Sequence, residues 1–202
     1  MATFIQVRDQ VIALTKRPEL VGLTELAVKQ ATVRAHQVDF FNRDQAWWDF
    51  TYTPLVGNEL FVTIPNIYGD VPQLRTPDFA QSWDVSSARP TENFEHVLEY
   101  KNLWDENNEV YNHHFTLFGE SIIARVLSQT GTFRLFYYKN PIVTTGGYAS
   151  WIADMYIEEI AQWAAAIVWN RSGFQEIAAT TMRDIVVPFK EMLVTSHLTR
   201  KI

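Results

Sequence analysis

Apolar residues recur at three- and four-residue steps from Trp151 to Trp169, with Ile152, Met155, Tyr156, Ile160, Trp163 and Ile167 along one stripe. That period predicts one long helix. Ser150 stands where an N-cap belongs, and Asp154, Glu158 and Glu159 lie in the half where acidic groups suit the helix dipole. Further on, Ala161, Ala164, Ala165, Ala166, Ile167 and Val168 leave no polar face. The pattern predicts a central helix covered by neighbours that its alanines let approach closely.

Two helices precede this one. Thr3 and Gln6 have capping-box spacing, and Phe4, Val7, Val11 and Leu14 continue at helical steps to about Thr15, before Lys16-Arg17-Pro18 turns the chain. A second helix, with Leu26, Ala27, Ala31, Val33 and Ala35, is predicted from about Thr24 to His36. From Asp39 the period becomes two. Trp48, Phe50 and Tyr52 alternate with polar residues, and Leu60 to Ile64 follows beyond Pro54 and Gly57-Asn58, which predicts an aromatic hairpin. Residues 65 to 93 hold Gly69, Pro72, Pro77 and Pro90 without clear period, and read as a long loop.

Phe94, His96, Leu98 and Tyr100 alternate, as do Tyr111, His113, Phe115 and Leu117 after Asn107-Asn108. Gly119-Glu120 and Thr130-Gly131 then divide off Ser121 to Leu127 and Phe133 to Tyr138, which predicts an antiparallel meander. After the central helix, Asn170 to Gly173 is a stop, and Ser172 with Gln175 repeats the capping-box spacing. The last helix carries Ile177, Ala178, Met182, Ile185 and Val186, with a kink or restart expected at Pro188. The expected class is α+β: an antiparallel helical bundle domain from residues 1-38 and 148-202, with residues 39-147 inserted as an antiparallel β domain.

Composition narrows the function classes. Seventeen basic and twenty-three acidic side chains give a net charge of -6, which disfavours a grip on nucleic-acid phosphates. The chain has no Cys, so disulfides, thiolate metal sites and a Cys nucleophile are excluded. Gln6, Arg8, Asp9 and Gln10 stand where a signal peptide would be apolar, and the longest apolar run, Trp163 to Trp169, is too short for a bilayer. The expectation is a soluble protein.

No spacing assembles a catalytic site. His113 and His114 are neighbours on a predicted strand and point to opposite faces, while His36, His96 and His197 are scattered. Glu158 and Glu159 diverge by about 100° on a helix. Gly146-Gly147 lacks the rest of a phosphate loop, and Ser121 after Gly119-Glu120 lacks the second glycine of a nucleophile elbow. Neither cofactor nor metal is expected. Seven Trp, eight Tyr and thirteen Phe supply large contact surfaces. Trp47 and Trp48 point oppositely on a strand, so one of them is expected to pack inward.

Three C-terminal blocks carry a resemblance: Tyr137-Tyr138-Lys139-Asn140-Pro141-Ile142-Val143, Ser150-Trp151-Ile152-Ala153-Asp154-Met155-Tyr156, and Arg171-Ser172-Gly173-Phe174 beyond the alanine-rich helix. Matching N-terminal blocks are Thr15-Lys16-Arg17-Pro18-Glu19-Leu20, Ala31-Thr32-Val33-Arg34-Ala35-His36, Asp39-Phe40-Phe41 and Arg43-Asp44. In this order they resemble the head-to-tail adaptor proteins of tailed bacteriophages, especially short-tailed ones. The match covers both ends of the chain and only weakly the middle.

The resemblance implies a virion structural protein without enzyme activity, assembled in the host cytoplasm and placed in the neck of the particle. It implies a homo-oligomeric ring, a dodecamer in the virion, that sits under the portal protein and offers a platform to the tail nozzle or tube. Genomic DNA would pass through its channel without specific binding, and no membrane is involved. By position, the portal-docking segment would be Thr195, Ser196, His197, Leu198, Thr199, Arg200, Lys201 and Ile202. Other readings are another tail component, a nozzle or tube protein that assembles with itself, a glycan-binding module using Trp48 or Trp83, and last a hydrolase.

Overall fold

The computed structural model describes residues 1–52, 61–64, 67–84, 97–100, 114–125 and 131–198. In chain order the elements are α1 (Phe4–Thr15), α2 (Val21–His36), β1 (Gln45–Tyr52), β2 (Phe61–Ile64), the short α3 (Ile67–Asp70), β3 (Leu74–Asp84), β4 (Val97–Tyr100), β5 (His114–Phe118), β6 (Ser121–Arg125), β7 (Gly131–Lys139), α4 (Trp151–Met155), α5 (Ile157–Arg171), α6 (Gln175–Thr181), a π-helical turn (Met182–Val186) and α7 (Val187–Leu198). The protein is α+β. It divides into two compact units, one of residues Met1–Asp44 with Asn140–Ile202, the other of Gln45–Lys139. These divisions fall inside the expected limits of 38/39 and 147/148.

In the helical unit, α5 packs against α1, α2 and α6. Ala161, Ala164 and Ala165 of α5 and Ala27, Ala31 and Ala35 of α2 are buried in one core with Phe4, Val7, Val11, Ile160, Trp163 and Leu193. Small side chains on facing helices remove the spacer that leucines would impose, so Trp163 can be wholly buried beside them. The Thr3–Gln6 capping box forms in full, and α1 ends with Lys16 in the left-handed region at φ 53°. Leu14 and Leu26 depart from their expected core positions and are 40% and 43% exposed. Thr15 is buried instead, its hydroxyl donating to the Val11 carbonyl.

The stretch Trp151 to Trp169 is not one helix. Tyr156, at φ -138° and ψ 51°, separates α4 from α5. The break turns two aromatic residues to different partners: Trp151 meets Phe41, and Tyr156 meets Phe189 edge to face. Met155, expected in the core, is 48% exposed.

Ser172 does not cap α6. Gly173 at φ +87° lets the Phe174 N–H reach back to the Trp169 carbonyl, a Schellman-type close of α5. Ser172 is thereby held in the end of α5, where its buried hydroxyl has no hydrogen-bond partner among the described residues.

At Pro188, where a kink or restart is expected, the α-helical ladder is interrupted: a π turn over Met182–Val186 precedes the proline and α7 begins at Val187. A proline ring clashes with the carbonyl four residues back, here Asp184, and provides no N–H for it. The π turn over Met182–Val186 widens the helix there, so helical backbone continues to Leu198.

The second unit is a seven-stranded sheet of order β1-β7-β3-β4-β5-β6-β2. All pairs are antiparallel except β4 with β5, so the sheet is mixed and not the expected meander. The β1–β2 hairpin does not form: β1 pairs with β7 and β2 with β6. The expected long loop contains α3 and the eleven-residue β3, which lies between β7 and β4. The predicted two-residue turn between β5 and β6 is present, with Gly119 at φ +59° supplying the left-handed residue. Ile67, Val71, Phe115, Ile122, Phe133 and Leu135 form this unit's own core. The Gly57-Asn58 and Asn107-Asn108 turns, Phe94, His96, Tyr111 and His113 lie outside the described residues.

Candidate functional site

The polar centre of the helical unit joins four residues from two distant stretches. His36 ends α2, Asp44 is the last residue before β1, and Ser150 and Trp151 open α4. His36 Nδ1 lies 2.9 and 2.8 Å from the two Asp44 carboxylate oxygens, and Nε2 lies 2.9 Å from Ser150 Oγ. The Trp151 indole N–H donates to Asp44 Oδ1 at 2.8 Å.

Donor and acceptor roles follow from the chemistry. A carboxylate only accepts, so Nδ1–H donates to Asp44, while Nε2 and the Ser150 hydroxyl share the second hydrogen bond of the ring. Ser150 Oγ in turn accepts the Ala153 N–H at 3.1 Å and is the N-cap of α4. Phe41 closes one side of Trp151 at 5.3 Å, and the Arg43 guanidinium lies over its ring at 5.2 Å.

Aspartate, histidine and serine are thus linked in the order of a nucleophilic triad. Their exposures are 2%, 2% and 5%, so no substrate atom reaches Ser150 Oγ in this conformation. What the arrangement does is clasp: it ties the end of α2 to the start of α4 through side chains that span 114 residues of sequence. No local spacing links His36 to its partners, and the one shared signal is that His36, Asp44, Ser150 and Trp151 all stand in the blocks that carry the resemblance.

Beside the clasp, the Thr32 hydroxyl donates to the Val28 carbonyl, which leaves its oxygen to accept from Tyr148 OH at 2.8 Å. Burial pushes the Tyr148 hydroxyl up to about 12; the Thr32 bond pulls the other way and the Asp154 charge adds to the rise.

The positions weighed from the sequence are dispersed. Thr195 and Ser196 lie on α7, their hydroxyls donating to the Glu191 and Leu193 carbonyls of the same helix. His197 and Leu198 complete α7, and Thr199, Arg200, Lys201 and Ile202 lie outside the described residues. Ser121 is the first residue of β6, and Gly146-Gly147 sits in a small hairpin closed by the Ile142–Ala149 bridge. Among the described residues no group of three His, Asp or Glu is placed to hold a metal ion.

Trp47 and Trp48, of which one was expected inside, are 54% and 38% exposed, on the strand that ends the sheet order. Arg134 stacks over Trp47 at 4.1 Å and makes two hydrogen bonds to Asp49, directly across the β1–β7 pair, at 2.6 and 2.7 Å. Trp83 lies on β3. No helix among the described residues is long and apolar enough to cross a membrane. The chain matches no protein-family model and no curated protein.

Proposed function

We propose that this chain is a virion structural protein, a head-to-tail adaptor whose copies form a ring under the portal and continue the DNA channel toward the tail. One observation carries the reading. The sequence blocks that resemble such adaptors stand on both sides of the β unit, and their side chains meet in the clasp of His36, Asp44, Ser150 and Trp151. The resemblance therefore falls on residues that hold a discontinuous helical unit together, with the sheet inserted between Asp44 and Asn140. The helical backbone that reaches Leu198 supports a C-terminal segment, Thr195 to Ile202, that docks on the portal. Catalysis has no part in this function, which is assembly.

The test is size-exclusion chromatography with light scattering, on the protein alone and mixed with portal rings. A stoichiometric ring that appears only with portal supports the proposal, and a chain ending at Val194 then loses it. Self-assembly into tubes without portal would point to a tube or nozzle protein. Exposed Trp47 and Trp48 favour the glycan-binding reading as the rival, which quenching of Trp fluorescence by host polysaccharide would support.

A further inference from the structure

All eight residues of β1, Gln45–Tyr52, face β7 in an unbroken register. Among the described residues no strand is hydrogen-bonded to the other side of β1. β2, at the opposite end of the sheet order, comes near β1 without pairing with it. With four residues against eight, β2 can flank no more than half of that edge.

A strand edge presents N–H and C=O groups that template another strand, and proteins usually blunt such edges with Lys, Pro or a bulge. β1 has none of these. Its sequence, Gln-Ala-Trp-Trp-Asp-Phe-Thr-Tyr, is rich in strand-forming aromatics, and its one charge, Asp49, is held by two hydrogen bonds from Arg134 of β7. Trp47 and Trp48 point to opposite faces of the sheet, and both are exposed. A partner lying on either face would cover only one of them. A strand added along the edge flanks both.

We propose that β1 pairs with β1 of a second copy of this chain, antiparallel about a two-fold axis at Trp47. In that register the strand is complementary to itself. On one face Trp47 meets Trp47 of the second copy, and each Gln45 amide faces an Asp49 carboxylate. On the other face each Trp48 meets an Ala46, whose small side chain leaves room for the ring. Centring the pair on Asp49 would set two carboxylates face to face, and centring it on Trp48 would set each Trp47 against a carboxylate. A two-fold contact closes on itself as a dimer, whereas a ring needs head-to-tail contacts, so the inference stands apart from the adaptor proposal.

Sedimentation equilibrium of the full chain over about 1 to 100 µM tests it, and the chain dimerises within that range. Trp47→Lys, which sets two like charges opposite each other, weakens the dimer about tenfold or more. Thr51→Lys, on the same strand beyond the paired stretch, changes it by less than about threefold. The chain has no Cys, so Trp47→Cys carries a single thiol. Opposed residues of an antiparallel pair lie about 4.5–5.5 Å apart at Cα, within disulfide reach, so oxidised glutathione links Trp47→Cys into a dimer about tenfold faster than Thr51→Cys. Circular dichroism shows whether each variant is folded, and Trp48→Lys replaces Trp47→Lys if that variant unfolds. A chain that stays monomeric, a dimer indifferent to the Trp→Lys variant or equally sensitive to Thr51→Lys, or equal capture of the two Cys variants overturns the proposal. Growth beyond a dimer overturns it too, because a two-fold contact leaves no further edge of β1 to pair.

Discussion

His36 Nδ1 lies 2.8 Å from Asp44 Oδ2, and both side chains are 2% exposed. Removing the carboxylate takes away the group that His36 Nδ1 and the part-buried Trp151 indole N–H both donate to. Asp44→Ala is expected to lower the unfolding free energy by about 3–5 kcal/mol, because an orphaned buried partner bears its full desolvation cost. Ser150→Ala removes both the cap of α4 and the hydroxyl at His36 Nε2, and is expected to cost about 2–4 kcal/mol. Urea unfolding followed by far-ultraviolet circular dichroism measures both. A cost below about 1 kcal/mol for Asp44→Ala would refute the clasp.

Tyr148 ties stability to alkaline pH. Its folded value of about 12 lies above the ordinary tyrosine value of 10.0, so the folded state holds the proton more tightly than the unfolded chain. The stabilisation is therefore complete below the unfolded value and lost as pH rises toward the folded one, a drop of about 3 kcal/mol across that window. Tyr148→Phe removes this slope. Unfolding midpoints measured at intervals between the two values check it; identical slopes in both proteins would contradict the assignment.

Trp163 is fully buried, yet its indole N–H has no hydrogen-bond partner among the described residues. Trp163→Phe removes an unsatisfied donor along with some volume, and the two effects oppose each other. A change within about 1 kcal/mol is expected, against a loss of about 3–5 kcal/mol for Trp163→Ala. If calorimetry finds the two variants equally destabilised, the buried N–H has no such cost.

Two glycines should respond in opposite directions. Gly173 holds φ +87° at the end of α5, whereas Gly22 lies in the first turn of α2, and a methyl group meets no atom within 4 Å at either site. Gly173→Ala is expected to cost about 1 kcal/mol from backbone strain, and Gly22→Ala to add about 0.5 kcal/mol by restricting the unfolded chain. Thermal melts of the pair decide it, and a shift of the same sign in both would contradict the backbone argument.

What could be read from the chain was what neighbouring residues decide. The α1 start was legible because Thr3 and Gln6 satisfy each other's backbone within one turn. The β3 strand was not, because Pro77 sits within it and the register shifts between Leu74 and Thr76 and again between Pro77 and Ala80. Two shifts in a short span erase the two-residue period on which a strand is recognised. The capping pattern at Ser172 misled for a related reason: Gly173 lets α5 take that residue for its own end. The clasp was the least legible, since His36 and Ser150 meet only after every intervening residue has been placed.

The first and last strands of the sheet in chain order are neighbours, with Gln45 facing Tyr138 across the β1–β7 pair. The polypeptide thus departs and returns through points separated by little more than one strand spacing. To the helical residues the excursion between them amounts to a tight loop, whatever its length. Heritable changes in strand number, order or surface can accumulate there while the helices keep their anchorage, provided the two strands at the root stay side by side.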